Sequence, residues 1–126
     1  MNIRIKTLTK TPRLKRDKKY LAWIRKQSCL VTGARPEHTH EMMHAHHVRM
    51  GGQAGIGQKP SDYRTVPLLA SEHDCLHNSG EKLYWQSEKT DPEEKIAGMM
   101  LRYLRDERGL RGYDILMHLE QLMEND

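Results

Sequence analysis

Residues 43–85 read MHAHHVRMGGQAGIGQKPSDYRTVPLLASEHDCLHNSGEKLYW. The stretch opens on a run that ends in the pair His46-His47, and it predicts an extended segment over 42–48. Gly51, Gly52, Gly55 and Gly57 favour open and positive-φ backbone, so no regular element runs through them. They do not match a phosphate-cradling loop, because no Gly-Lys-Ser/Thr closes the segment. Pro60 and Pro67 keep residues 63–66 extended. Ser71 is placed to cap a helix over 72–78, and Gly80 to stop it. The order is an extended piece, a long glycine-rich loop, a second extended piece and a helix, which predicts an α+β fold. Four histidines, His46, His47, His73 and His77, mark its chemistry.

His73 and His77 stand at i and i+4, so on a helix both rings reach one ion. His46 and His47 are neighbours, and on an extended strand neighbours point to opposite sides. One of the pair can therefore bind the metal while the other faces a substrate beside it. That division suits hydrolysis of a phosphodiester. Three protein ligands leave open positions on the ion, and an imidazole of ordinary pKa (about 6.5) takes up a proton near neutral pH. His38, His40 and His44 extend the cluster; a polar surface stretch is the competing reading, and eight histidines in 126 residues weigh against it.

Outward from this segment the chain is helical. Tyr20, Leu21, Trp23 and Ile24 form an apolar stripe on a helix over 17–27, and residues 28–33 read as a short strand turning at Gly33. Asp91-Pro92-Glu93-Glu94 is a strong helix start: a capping acid, proline in the first turn and carboxylates at the positive dipole end. Ile96, Met99, Met100, Tyr103 and Leu104 give that helix its buried stripe. Gly109 and Gly112 end it, and a last amphipathic helix runs from Tyr113. Cys75, on another face from the histidines, is expected to pack, as are Trp23 and Trp85.

The chain is 37% hydrophobic and 30% charged, enough for one modest core that lacks Phe entirely. Two cysteines exclude a disulfide framework. No apolar run approaches the ~18–20 residues of a membrane span, and basic residues interrupt any leader-like segment, so the expected location is the cytoplasm, with no membrane partner. The net charge is +4, and it is placed unevenly. Residues 1–25 hold Arg4, Lys6, Lys10, Arg13, Lys15, Arg16, Lys18, Lys19 and Arg25 against Asp17 alone. Such a strip fits a phosphate backbone, with Lys15, Arg16, Lys18 and Lys19 nearest the folded part; a solubilising tail is the alternative. Arg49, Lys59 and Arg64 flank the histidine motif and are candidates for phosphate contacts. Asp62 is either a turn residue after Pro60-Ser61 or a member of the site.

The combination HHVRMGGQAGIGQKPSDYRTVPLLASEHDCLHNSGEKLYW resembles the HNH endonucleases of the ββα-metal class, and within them a small phage and prophage group of Ref-type, RecA-dependent nucleases. The match covers residues 20–85. The resemblance implies a ββα-metal core with a long glycine-rich hairpin loop, flanked by an N-terminal helix and two C-terminal helices. The boundaries are a basic arm over 1–16, a core over 17–88 and a helical extension over 89–126. It implies His46, His73 and His77 as ligands of one divalent ion (Mg²⁺, Mn²⁺, Zn²⁺ or Ni²⁺), His47 as general base, and Asp62 as orienting His47 or contributing to the metal site. It further implies a DNA endonuclease of little sequence specificity, acting in recombination or DNA processing, with a recombinase or another DNA-processing protein as partner and room for a homodimer. The sequence departs from the group where cysteines are usual, at Thr32 and Leu69, and Arg64 stands near the position of the Asn for which the HNH motif is named. These departures keep two alternatives in play. One is a nucleic-acid-binding module whose structural zinc is held by Cys29 with His38, His40 or His44. The other is a catalytically degenerate adaptor built on the C-terminal helices.

Overall fold

The structure, a computed structural model, describes residues 16–49 and 60–124, with side chains as far as residue 120. The arm up to Lys15, the glycine-rich loop and Lys59 lie outside the described residues.

The first helix, α1 (Lys18–Ile24), begins where Asp17 accepts a hydrogen bond from the Tyr20 N–H at 3.0 Å. It stops three residues short of the expected end. Lys26 and Gln27 donate to the carbonyls of Trp23 and Ile24, three residues back, and tighten the last turn. Residues 28–33 are not the expected strand. With Gly33 at φ +76°, the chain closes a turn in which Cys29 N–H donates to Ala34 O and Gly33 N–H to Cys29 O. Those bonds use the backbone groups that a strand would offer to a ladder, and only Leu30 N–H reaches across, to Pro67 O. A single 3-10 turn, Pro36–His38, punctuates the polar loop that follows.

Two strands make the sheet. β1 (Met43–His47) and β2 (Thr65–Leu69) pair antiparallel, with His46 opposite Val66 and His47 opposite Thr65. Every residue of β2 is buried, and Pro67 is tolerated because a two-stranded sheet has only edges. α2 (Ala70–Ser79) starts directly from β2, two residues earlier than the sequence suggests. Ser71 is therefore inside the first turn and caps nothing; its N–H donates to Glu41 Oε1 at 2.9 Å. Gly80, at φ +90°, ends α2 as expected and at once begins α3 (Glu81–Ser87), a helix with no counterpart in the sequence reading. Its Tyr84 and Trp85 are buried.

α4 (Pro92–Asp106) is capped by Asp91, which accepts from Glu93 N–H, and buries Ile96, Met99, Met100, Tyr103 and Leu104. α5 (Tyr113–Glu124) follows and buries Leu119. The core has two lobes joined by α4. One gathers Val66, Leu68, Leu76, Tyr84, Trp85 and Ile96 between the sheet, α2 and α3. The other is aromatic: Tyr20, Trp23, Tyr63 and Tyr103 meet edge to face at 4.9–5.3 Å, against Met99 and Met100. Trp23 and Trp85 are core anchors as expected, whereas Cys75, expected to pack, is exposed. The fold is α+β, with five helices around a two-stranded sheet among the described residues. Among the described residues no helix is long and apolar enough to cross a membrane.

Candidate metal centre

β1 and α2 present their histidines to each other. Alternation along β1 turns His44 and His46 toward α2 and leaves His47 on the opposite side. On α2 the i, i+4 spacing stacks His73 and His77, with ring centroids 4.6 Å apart. His73 Nε2 sits at the junction, 3.1 Å from His46 Nδ1 and 3.0 Å from His77 Nε2. One nitrogen from each of the three rings lies within 4.8 Å of the other two. Neighbouring ligand nitrogens of a tetrahedral ion are about 3.3 Å apart when each bond is 2.0–2.1 Å. The rings stand near the spacing that an ion of that kind requires.

Hydrogen-bond chemistry favours the same conclusion. His46 Nε2 is 2.8 Å from Glu81 Oε2, a contact that needs the proton on Nε2 and leaves the Nδ1 lone pair of a neutral ring facing His73. His73 Nδ1 is 2.8 Å from His44 Nδ1; with its proton there, His73 turns the Nε2 lone pair to the same point. Two lone pairs at 3.1 Å repel unless a proton or a cation lies between them. A metal ion fits this donor set, and carboxylate and imidazole partners behind the ligands are the usual means of fixing the tautomer. Burial, reinforced by the neighbouring imidazoles His46, His77 and His44, lowers the pKa of His73 from 6.5 to about 4 and keeps its ring neutral, as a ligand must be. The centre opens outward: His46 is buried, His73 half-buried and His77 exposed.

His47 stands beside this cluster but outside it. Its Nε2 is 2.8 Å from Asp62 Oδ1. Asp62 is 2% exposed and held from several sides: Oδ2 accepts from Asp17 N–H at 2.7 Å, and Arg16 Nη1 lies 3.7 Å from Oδ1. Burial alone would raise its carboxyl, but His47, the Asp17 N–H and Arg16 outweigh that and keep it below the usual range. Asp62 is thus placed against His47, and it is not one of the three metal-binding groups. His46, His47, His73, His77, Arg49 and Glu81 line one cavity of about 530 Å³.

The basic candidates are placed very differently. Arg16 reaches the site through Asp62, while Lys18 and Lys19 are exposed on α1. Arg49 lines the cavity, and its backbone N–H donates to Glu81 Oε1. Arg64 is a correction: its guanidinium is buried in a bidentate pair with Glu93, Nη1 lying 3.0 Å from Oε2, which takes it out of reach of a phosphate. Cys29, His38, His40 and His44 form no metal-binding group of three among the described residues. Glu81 escaped the sequence, and His44, counted there with the wider cluster, was not given its place behind His73. Glu81 lies 35 positions from His46, and its only local signal is an acid directly after the helix-stopping Gly80. His44 shares a strand face with His46, a period-2 relation that the polar look of the run concealed.

Residues 6–90 match the family described as "Protein of unknown function (DUF968)". No curated protein and no solved structure matches the chain. The matched span contains β1, β2, α2 and α3 with every histidine of the centre, and the chain belongs to the DUF968 family.

Proposed function

We propose that this protein is a metal-dependent DNA endonuclease with an HNH core. The observation that carries the reading is the pairing, in one cavity, of three convergent imidazoles with a fourth imidazole backed by a carboxylate. The order β1, β2, α2, with His46 on the strand and His73 and His77 on the helix, is the arrangement that the resemblance implies and supports an HNH core.

His46 Nδ1, His73 Nε2 and His77 Nε2 would hold the ion, which would supply positive charge to a non-bridging phosphate oxygen and to the departing 3′ oxygen. Asp62 fixes the proton of His47 on Nε2 and stabilises the imidazolium that forms during reaction. His47 is then the group that takes a proton from the attacking water, while the water oxygen bonds to phosphorus and the P–O3′ bond breaks with its electron pair leaving on the 3′ oxygen. The exposed His77 side leaves the centre open to a strand of DNA, and Arg16, Lys18 and Lys19 extend a basic surface from the neighbouring helix start. Among the described residues no base-reading module is evident, which favours low sequence specificity.

The test is cleavage of supercoiled and single-stranded DNA by chelator-stripped protein, with Mg²⁺, Mn²⁺, Ni²⁺ or Zn²⁺ restored singly. Metal-dependent cleavage by the wild type, lost in His47→Ala with the ion still bound, is the expected result. Equal cleavage by both proteins would remove His47 from the reaction. Absence of cleavage with every ion on every substrate would overturn the nuclease reading.

A further inference from the structure

We propose that Glu81 is a positioning residue of the metal centre: it holds the His46 ring with its proton on Nε2, so that Nδ1 is the atom presented to the ion. The inference rests on the metal reading above and adds to it the means by which the deepest ligand is set. Glu81 is the first residue of α3, and three donors converge on its carboxylate. Trp85 Nε1–H reaches Oε2 at 3.0 Å, Arg49 N–H reaches Oε1 at 3.0 Å, and His46 Nε2 stands 2.8 Å from Oε2. An indole and a backbone amide can only donate, so both carboxylate oxygens already act as acceptors, and the proton between Oε2 and the ring belongs to His46.

The surroundings leave little freedom to rearrange. The His46 side chain is 5% exposed and that of Glu81 13%. Trp85, one turn further along α3 and 2% exposed, anchors the carboxylate through the helix's own i, i+4 geometry. The Arg49 amide ties the same carboxylate to the chain leaving β1. Glu81 approaches His46 from the Nε2 side, away from the nitrogen that converges with His73 and His77, and is not a member of the three-ligand group. Its part is therefore orientation. This also gives α3 a purpose that its short length and two buried aromatics do not: it delivers an anchored carboxylate behind the first metal ligand.

The experiment uses full-length protein stripped of metal, in three forms: wild type, Glu81→Gln and Glu81→Ala. Zn²⁺ affinity is measured by competition with a chromophoric chelator, and the His46 tautomer by long-range ¹H–¹⁵N spectra at neutral pH; circular dichroism establishes that each form is folded. Gln keeps the side chain's shape and one acceptor oxygen, enough for the donors at Oε2 but not for Arg49 N–H as well, and so is the milder change if Ala does not fold. The expected result is an Nε2–H ring at His46 in the wild type, loss of that preference in Glu81→Ala, and Zn²⁺ affinity about 10–100-fold weaker in Ala, with Gln between. Equal affinity in all three folded forms, or an Nδ1–H ring in the wild type, overturns the positioning role while leaving the metal site standing. A wild type that takes up no Zn²⁺ overturns the metal reading, and the positioning role with it.

Discussion

His47 and Asp62 show how much a single contact can decide. A histidine beside a metal centre is an effective base only when one nitrogen is held protonated and the other is aimed, and the 2.8 Å contact with Asp62 provides the first condition. Replacing His47 by Ala is expected to lower the cleavage rate about 10²–10⁴-fold, the usual worth of a positioned base, without releasing the ion. Asp62→Asn is expected to lower it less, because the amide keeps a hydrogen bond but no longer stabilises the imidazolium; a loss equal to that of His47→Ala would mean that Asp62 does more than orient. His73 carries a different prediction. In the unfolded chain its pKa is the ordinary 6.5, in the native protein about 4, so between these values only the unfolded state takes up the proton. Stability of the metal-free protein therefore falls as pH drops from 6.5 towards 4. Asp62 and Glu81, whose carboxyls are both held low, add their own losses only below the usual carboxylate range. Urea midpoints from pH 7.5 to 4 measure this, and His73→Gln should flatten the upper part of the curve. An unchanged curve in that variant would assign the acid sensitivity elsewhere.

At the scale of elements, what was legible in the sequence depended on whether the signal was local. The α4 start at Asp91-Pro92, the stripe from Ile96 to Leu104 and the His73/His77 spacing are short-range patterns, and each corresponds to an element or a shared face in the structure. The 28–33 segment was misjudged because Cys29, Leu30 and Val31 have the composition of a strand, while its backbone bonds close on themselves around Gly33. α3 was invisible because Gly80 looks like an end and is also a beginning. The pairing of His47 with Asp62 was one of several roles open to that acid, and Glu81 and the buried Arg64 depend on contacts across 29 to 35 positions that no local pattern encodes. The Arg64–Glu93 pair joins the residue just before β2 to the first turn of α4, and it has a measurable cost if broken. Glu93→Ala leaves a buried guanidinium without its main anion and should destabilise the fold by about 1–3 kcal/mol, with Glu93 half in water moderating the penalty. A double-mutant cycle with Arg64→Met separates the pair from the loss of either side chain. A coupling energy near zero would show that Arg64 is held by other contacts.

For the whole molecule, the centre lies where β1, α2 and α3 meet, so an ion bound there braces three elements at once. At free Zn²⁺ of 100 times Kd, binding to the native state alone adds about 2.7 kcal/mol and should raise the melting temperature of this 126-residue chain by on the order of 10 °C. Calorimetry with and without chelator measures it, and an unchanged transition would exclude a native-state site of that affinity.

Charge makes the last prediction. Arg4, Lys6, Lys10, Arg13 and Lys15 precede the described fold, and the chain enters that fold at Arg16, beside Asp62 and within reach of the proposed base. If the protein binds DNA as proposed, a basic strip leading into Arg16 would contact phosphates flanking the bound strand, and each phosphate neutralised would release counterions. The logarithm of the DNA association constant should then fall linearly with the logarithm of salt concentration, with a slope of about −0.9 for every contact on duplex DNA. Changing those five residues to Gln in His47→Ala protein, so that DNA stays intact, should make the slope shallower by as much as about 4.5 and weaken binding most at low salt. The ion at the histidine centre should bind as before, because none of the five is among the histidines that would hold it. If the slope does not change, the strip is a solubilising tail, and the DNA is held by Arg49, Lys18 and Lys19 on the folded surface instead.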